Sequence, residues 1–177
     1  MNADELQKIL SDHSLWLETK SQSGKRANLR SADLRSLDFV NANLRGACLV
    51  GADLRGADLG GANLSRTWLS HADLSESYLA GANLSWTDLS DSIISWADLS
   101  RANLSRANLS RANLSRADIR GTNFIGADLR GAVLSWSNMC RATDFSESDL
   151  RWAVLNKVDT SCVNLNRAKL TISSKIT

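Results

Sequence analysis

Proline is missing from all 177 residues of the sequence, although average usage of about 5% would predict several. Because proline has no backbone N–H, its absence favours a fold in which backbone donors pair along the whole chain. Long apolar segments are missing as well, since no run approaches the roughly eighteen residues that a transmembrane helix requires. We therefore expect no membrane-inserted segment.

Cysteine is scarce and irregularly spaced. Cys48, Cys140 and Cys162 form neither a CxxC pair nor an even-numbered framework, which argues against both a zinc site and structural disulfides. This cysteine usage favours a reducing compartment. The first ten residues, MNADELQKIL, lack the basic and apolar segments of a signal peptide. The sequence therefore predicts a cytoplasmic protein.

Catalytic chemistry has little support in the sequence. His13 and His71 are the only histidines, and His13 falls outside the repeats described below. Glycines such as Gly46, Gly51 and Gly56 recur every five residues, a spacing typical of turns rather than of a phosphate-binding loop before a helix. We expect no catalytic, cofactor-binding or metal-binding residue, and we predict a protein that is not an enzyme and has no small-molecule substrate.

A five-residue period dominates what the sequence does contain. Residues 95–120 read SWADLSRANLSRANLSRANLSRADIR. A leucine or isoleucine occupies one position of each unit, here called the centre, and a small residue stands two positions before it. Asp or Asn usually lies between these two, and two turn residues, often Ser and Arg, follow the centre. The centres of this stretch are Leu99, Leu104, Leu109, Leu114 and Ile119.

Neither a helix nor a straight strand can bury this pattern. Five residues advance about 500° around an α-helix, and an odd step sends alternate strand side chains to opposite faces. Within one unit, however, the small residue and the centre are two apart, so a short extended piece can direct both inward before the chain turns. Coils built in this way stack by parallel pairing about 4.8 Å apart. The period therefore predicts a solenoid.

Units such as RANLS, GADLR and HADLS resemble the A(D/N)LXX signature of the pentapeptide repeat family. This resemblance extends over nearly everything after Gly24. It implies an all-β fold, a right-handed quadrilateral parallel β-helix with four units and about twenty residues per coil. A resemblance of this kind is informative about fold and much less so about function.

The resemblance divides the chain into two parts. Residues 1–23 lack the repeat and are predicted to form an N-terminal helical cap, with Asn2 and Glu5 as a capping box and a second short helical turn starting at Ser14. A cap would cover the first coil, because an uncovered sheet end invites edge pairing, and the alternative is a docking helix. Residues 24–177 are predicted to form a β-helix of about seven coils.

The register of the repeat changes once. Centres advance in steps of five from Leu29 to Met139, and the next centre, Phe145, follows after six residues. We expect the extra residue, between Cys140 and Asp144, to form a bulge that kinks one corner.

Residues twenty apart would stack in columns on the four faces. One column holds asparagines that we expect to form a hydrogen-bonded amide ladder: Asn43, Asn63, Asn83, Asn103 and Asn123. Aspartates fill two other columns, where Arg35, Arg55 and Arg120 should compensate their charge. Straight acidic columns do not wrap around a cation, so these columns do not indicate a metal site.

The second turn position combines arginine and tryptophan. One predicted column reads Arg66, Trp86, Arg106 and another reads Trp96, Arg116, Trp136, so each guanidinium would stack on an indole of the next coil. Arg101 and Arg111 complete a ring of positive charge around one coil. Such stacks could clamp the coils together. Because Arg and Trp dominate interface hot spots, the eight residues also form the candidate interaction surface.

We therefore predict a non-enzymatic rod that serves as a scaffold for an unidentified protein partner. The resemblance also offers an alternative, since some members of the family protect bacterial DNA gyrase from quinolones by imitating DNA. That role requires a strongly acidic surface, whereas this chain has a net charge of +2. The same small charge makes direct nucleic-acid binding unfavourable.

The C-terminal end suggests self-association. The tail TISSKIT has no helical pattern long enough to cover the last coil, and an uncovered parallel edge beside Ile172 and Ile176 can pair with a second copy. We expect a two-fold dimer through the C-terminal coil. In the alternative, the tail folds back across the end and leaves a monomer.

The assignment of inward and outward positions can be tested within one unit. Replacing the centre Leu104 by Ala should lower the free energy of unfolding by about 2–5 kcal/mol, because burial is lost and a cavity forms. Replacing the neighbouring turn residue Ser105 by Ala should change it by no more than about 0.5 kcal/mol. Denaturant unfolding of both variants measures the difference, and equal costs would contradict the assignment.

Overall fold

The computed structural model describes residues 3–140 and 142–171. Helix α1 spans Ala3–Glu18 without interruption. The predicted second helical turn at Ser14 is therefore wrong: His13 and Leu17 extend the apolar spacing of Leu10, so nothing in this stretch ends the helix. Asn2 of the predicted capping box lies outside the described residues. No helix of the described ranges is long and apolar enough to cross a membrane.

The rest of the chain forms stacked coils held by isolated parallel bridges rather than by long strands. Successive bridges connect residues twenty apart, from Asn28 with Cys48 up to Asp118 with Asn138, so four units complete one coil. We number the four faces by their first centres: face 1 starts at Leu29, face 2 at Leu34, face 3 at Phe39 and face 4 at Leu44. The predicted β-helix with an N-terminal helix is confirmed.

The interior is a column of centres and small residues. Nearly all centres from Leu29 to Leu155 are buried, and alanines such as Ala107 and Ala112 fill the position two before them. Two aromatic centres on face 4, Phe124 and Phe145, stack with ring centroids 4.8 Å apart. Leu37 occupies a position that suits a small residue, and its side chain is accordingly exposed.

Every backbone N–H has an acceptor in a unit that carries Asp or Asn before its centre. The residue before the centre donates to the preceding coil, while the centre and the second turn residue donate to the following coil. The small residue closes the turn by donating to the previous centre, and the first turn residue donates to the Asp or Asn side chain two positions earlier. In unit 107–111 these bonds measure 2.7–3.1 Å and run from Asn108 to Thr87, Leu109 to Asp128, Arg111 to Arg130, Ala107 to Leu104 and Ser110 to Asn108 Oδ1. This use of all donors explains the lack of proline.

The asparagine column has a different role from the predicted one. Each Oδ1 accepts a hydrogen bond from the backbone N–H two residues later, as in the bond from Ser85 N to Asn83 Oδ1 at 3.1 Å. Among the described residues of the column, one amide–amide contact is present, 3.5 Å from Asn103 Nδ2 to Asn83 Oδ1. The predicted amide ladder is therefore largely wrong, because the local N–H takes the side-chain oxygen first.

The second turn residue has a positive φ whatever its side chain. Gly61 has φ 63°, Arg101 58° and Trp96 62°, as the third residue of a type II turn requires. A non-glycine residue in this conformation costs about 1–2 kcal/mol. The stacked bonds of the coil enforce it, and the side chains at this position consequently project from the corners.

The extra residue lies where the register change predicted it. Bridges join residues twenty apart up to Asn138 and twenty-one apart from Asn123 with Asp144 onward, as far as Val133 with Val154. The hydroxyl of Thr143 supports this bulge: it accepts from Cys140 N at 3.2 Å and Gly121 N at 3.3 Å, and it donates to Ile119 O at 2.9 Å. A single side chain thus satisfies two donors that the bulge removes from the ladder.

The two ends of the coil stack differ. Leu6, Ile9 and Leu10 of α1 pack against the core and cover the first coil. At the other end Leu170 is 44% exposed, so the described part of the last coil is open. Ile172 and Ile176, on which the dimer prediction depends, lie outside the described residues, and that expectation stays a prediction.

His13 lies at the interface between α1 and the first coil and is fully buried. Its Nδ1 accepts a hydrogen bond from Ala27 N at 3.1 Å, and its ring stacks on Trp16 with a centroid distance of 5.6 Å. Burial lowers the pKa of His13, and the charge of Arg26 lowers it further, against a smaller opposing effect of the Arg45 carbonyl. The folded protein therefore holds this imidazole neutral.

At several of the positions two before a centre, serine or threonine replaces the usual alanine, and two of these serines differ in their hydrogen bonds. The Ser148 hydroxyl donates to Phe145 O at 2.7 Å, whereas the buried Ser137 hydroxyl has no hydrogen-bond partner among the described residues. Ser148→Ala should lower the free energy of unfolding by about 0.5–1.5 kcal/mol, and Ser137→Ala should leave it unchanged or raise it. Denaturant unfolding compares the two, and an equal loss in both would contradict the hydrogen bonding described.

The neutral His13 predicts a pH dependence of stability. Because its folded pKa is below the unfolded value of about 6.5, the unfolded chain binds the proton more readily, and stability should fall as the pH drops below about 6.5. Melting temperatures at about pH 7.5 and pH 5.5 measure the loss.

The His13→Asn variant keeps an acceptor for Ala27 N and should lose this pH dependence. The exposed His71 provides the control, since His71→Asn should retain it. The same fall in both variants would show that His13 is not its source.

Candidate interaction surface

The eight residues of the predicted surface lie on all four corners of the rod. Trp96, Arg116 and Trp136 project between faces 2 and 3, and Arg66, Trp86 and Arg106 project from the opposite corner, between faces 4 and 1. Arg111 lies between faces 1 and 2, and Arg101 between faces 3 and 4. One flat partner cannot cover two opposite corners, so the eight residues do not form one site.

The predicted stacking occurs in part. Arg106 lies 4.9 Å from the ring centroid of Trp86, and Arg116 lies 4.7 Å from that of Trp96. Among the described contacts, neither Arg66 nor Trp136 makes such a stack. An exposed stack contributes about 0.5–1 kcal/mol, so two pairs clamp adjacent coils weakly and leave Trp136 without a cation.

Sequence reasoning missed two further stacks. Arg151 lies 5.3 Å from the ring centroid of Trp152, and Arg26 lies 3.9 Å from that of Trp68. The Arg26 side chain also donates from Nε to the carbonyl of Gly46. Arg26 lies just before the first unit of the repeat, so the five-residue spacing could not predict that it stacks on Trp68.

Arginine neutralises several of the exposed carboxylates. Asp33, Asp53, Asp118, Asp128 and Asp149 each pair with an arginine two residues later at 2.6–2.7 Å, as predicted for Arg35, Arg55 and Arg120. Arg111 pairs across coils with Asp91 at 2.6 Å. The side-chain hydrogen bond from the neighbouring arginine lowers the pKa of each of these aspartates. The predicted ring of arginines is therefore not uniformly positive, because the charge of Arg111 is neutralised by Asp91.

Face 2 changes character along the rod. The position before its centres holds Asp33, Asp53 and Asp73 in the first three coils and then Ile93, Asn113, Val133 and Val154. Ile93 and Val154 are exposed. Trp96 and Trp136 stand at one edge of this apolar column and Trp152 at the other, and these indoles are 58–61% exposed. We call these six apolar residues, from Ile93 to Val154, the tryptophan-flanked face.

Charges around the tryptophan-flanked face are unbalanced. Arg116 and Lys157 project from its edge, and no ion pair joins either to a carboxylate within the described ranges. Asp91, on the opposite edge, is already paired with Arg111. The face therefore presents apolar side chains and uncompensated positive charge together, and the carboxylate of Glu76 stands beside Trp96 at its N-terminal end.

The cysteines occupy unequal environments. Cys48 stands directly before the centre Leu49, at an outward position, yet it is only 8% exposed, because Arg26 reaches across it to Trp68. Cys140 lies at the bulge, where hydrogen bonds with the backbone of Ala142 and Gly121 lower the pKa of its thiol. No group of three or more His, Cys, Asp or Glu in the described ranges could hold a metal ion.

Comparison with known proteins identifies the repeat. The family model "Pentapeptide repeats" matches in eight copies over residues 25–61, 57–95, 97–135 and 140–171. No curated protein matches the chain in sequence.

Two solved structures resemble the chain throughout. A trypsin-treated variant of QnrB1, a plasmid-mediated fluoroquinolone resistance protein, is 19% identical over 82% of this chain and 84% of its own, with a TM-score of 0.56. HetL, which is involved in heterocyst differentiation regulation in the cyanobacterium Nostoc sp. strain PCC 7120, is 24% identical over 96% of this chain and 92% of its own, with a TM-score of 0.53. At these identities the likeness shows a shared right-handed β-helix fold.

Proposed function

The chain belongs to the pentapeptide repeat family, and we propose that it is a non-enzymatic scaffold that binds a protein partner through the tryptophan-flanked face. Members of this family are generally structural or interaction scaffolds. The observation that carries the proposal is the exposure of three indoles beside an apolar column on one side of the rod. Trp side chains are enriched in the buried centres of protein interfaces.

The geometry of the face suits a protein surface. The column from Ile93 to Val154 advances by three coils, which corresponds to about 14 Å along the rod. The first turn position beside this column holds the short side chains of Ser95, Ser115 and Ser135, so the surface next to the indoles projects less than the indoles do. Large, rigid side chains that project at the edges of such a surface can contact a partner with little loss of conformational entropy.

The charge of the face indicates the chemistry of the partner. Arg116 and Lys157 supply positive charge that no described ion pair compensates, whereas the Asp91 carboxylate is occupied by Arg111. Burial of an unpaired cation at an interface is unfavourable unless an opposite charge meets it. We infer a partner whose binding surface combines apolar side chains with carboxylates.

Gyrase protection has weaker support. QnrB1 shares the fold with this chain, but DNA imitation requires free negative charge along the rod. Here Asp33, Asp53, Asp118, Asp128 and Asp149 are each bound to an arginine two residues later. These ion pairs interrupt the regular negative charge that imitation of a phosphate backbone requires, although Asp38, Asp58 and Asp98 have no ion pair within the described ranges.

Two tryptophans at the same turn position provide the test. Trp136 belongs to the tryptophan-flanked face, and Trp86 lies on the opposite corner with similar exposure. The immobilised wild-type protein, Trp136→Ala and Trp86→Ala are compared for the bacterial proteins that each retains, and the affinity of the retained protein is then measured. Trp136→Ala should weaken binding by about 2 kcal/mol or more, as expected for a hot spot, and Trp86→Ala should not.

Loss of binding in Trp86→Ala alone would place the partner on the opposite corner and contradict the proposal. Retention of gyrase by the wild-type protein, together with inhibition of its supercoiling activity, would favour the alternative function. Both variants remove an exposed indole, and Trp86→Ala also removes the stack with Arg106, which contributes about 0.5–1 kcal/mol. Free energies of unfolding within about 1 kcal/mol of the wild-type value confirm that folding is not the cause.

A further inference from the structure

A cleft of about 320 Å³ lies between the end of helix α1 and the corner that joins faces 4 and 1. Trp16 and Leu17 of the helix form one side of it, and Arg45, Gly46 and Arg66 of the first two coils form the other. Lys20 and Ser21, which follow the helix, also line it. The volume is near the lower limit of pockets that hold small organic ligands.

The charged residues of this cleft are all positive. Within the described ranges, no ion pair joins Lys20, Arg45 or Arg66 to a carboxylate, although many arginines elsewhere on the rod have one. Arg66 also lacks the predicted stack on Trp86 and lines the cleft instead. Three uncompensated cations around one small cavity favour an anionic ligand.

The helical side of the cleft adds an apolar surface. The indole of Trp16 is held in place by its stack on the buried His13, and Leu17 lies beside it, half-buried. An aromatic ring can pack on such a surface while a charged group meets the arginines, and guanidinium groups themselves stack on flat rings. The cleft is therefore suited to a flat or apolar body that carries a negative charge.

The backbone holds this cleft in a fixed shape. Lys20 and Ser21 are successive non-glycine residues with φ of 52° and 74°, a strained arrangement that surrounding contacts must support. Gly24 supplies that support by close approach, since a Cβ there would overlap the carbonyl oxygen of Asp12 and lie 2.6 Å from Trp16 N. The connection between α1 and the first coil is thus locked against the helix, and the cleft exists before any ligand enters.

We propose that the cleft between α1 and the first two coils binds a small organic anion with an aromatic or apolar body. The sequence predicted no small-molecule substrate and no cofactor-binding residue because the repeats offer neither a catalytic group of residues nor a phosphate-binding loop, and this cleft is built partly by the non-repeating helix α1. It is also separate from the tryptophan-flanked face, so either proposal can fail without the other. Two sources share the required chemistry: a nucleoside phosphate and an aromatic carboxylate or sulfonate.

Calorimetric titration of the full chain tests the site with named probes. Anilinonaphthalene sulfonate and adenosine monophosphate each combine a flat body with a negative charge, whereas adenosine and inorganic phosphate each offer only one of the two. We expect saturable binding of one molecule of at least one combined probe, and weaker or no binding of adenosine and phosphate. The combined probe that binds more tightly identifies the source of the ligand.

Variants connect this binding to the cleft. Arg45→Gln and Arg66→Gln should each raise the dissociation constant by about tenfold, because each removes one charge-assisted contact. Arg167→Gln is the matched control, since Arg167 has the same left-handed backbone and turn position as Arg66 at the far end of the rod. It should bind the probe like the wild-type protein, and circular dichroism checks that all variants fold.

Three outcomes would overturn the proposal. The first is that neither combined probe binds with one-site saturation. The second is that Arg66→Gln and Arg167→Gln bind equally, which would place the probe elsewhere. The third is that inorganic phosphate binds as tightly as adenosine monophosphate and the sulfonate does not bind, which would remove the role of Trp16 and Leu17.

Discussion

The structure depends on the almost complete use of the five backbone donors in each five-residue unit. Four of them bond to other backbone groups, above, below or across a turn, and in units with Asp or Asn before the centre the fifth bonds to that side chain. This requirement excludes proline and forces a left-handed turn residue on side chains as large as tryptophan. Where one residue is inserted, the Thr143 hydroxyl takes over the missing acceptor role.

Because the backbone and the interior repeat so regularly, the coils differ from one another mainly in their outward side chains. The column before the centres of face 2 begins with aspartates and continues with Ile93, Val133 and Val154, although the backbone beneath does not change. The rod therefore provides a grid of fixed spacing on which charge and apolar surface are distributed. On face 2 the first coils carry paired ions, and the later coils carry apolar side chains flanked by exposed indoles.

The sequence was sufficient for every feature that follows from the period. Burial of the centres, the stacking of residues twenty apart and the extra residue before Phe145 all follow from spacing alone. The amide ladder was largely wrong because spacing does not decide which of two donors, the local backbone N–H or the amide of the next coil, bonds to one asparagine oxygen. The cleft beside Trp16 was not predictable, since it depends on where a non-repeating helix packs, and neither Arg66 nor Gly24 differs in sequence from residues with other roles.

Because four units complete one coil, the place of a unit in the sequence determines the side of the rod on which it lies. Loss of four units from the RANLS stretch would lower the later part of the rod by one coil, about 4.8 Å, and leave Trp136 on its own side. Loss of a single unit would instead turn everything beyond it by a quarter revolution and carry Trp136 and Trp152 away from the side that bears Ile93 and Trp96. Change in repeat number can thus alter the reach of this surface in small steps, or redirect it entirely, without altering a single interior contact type.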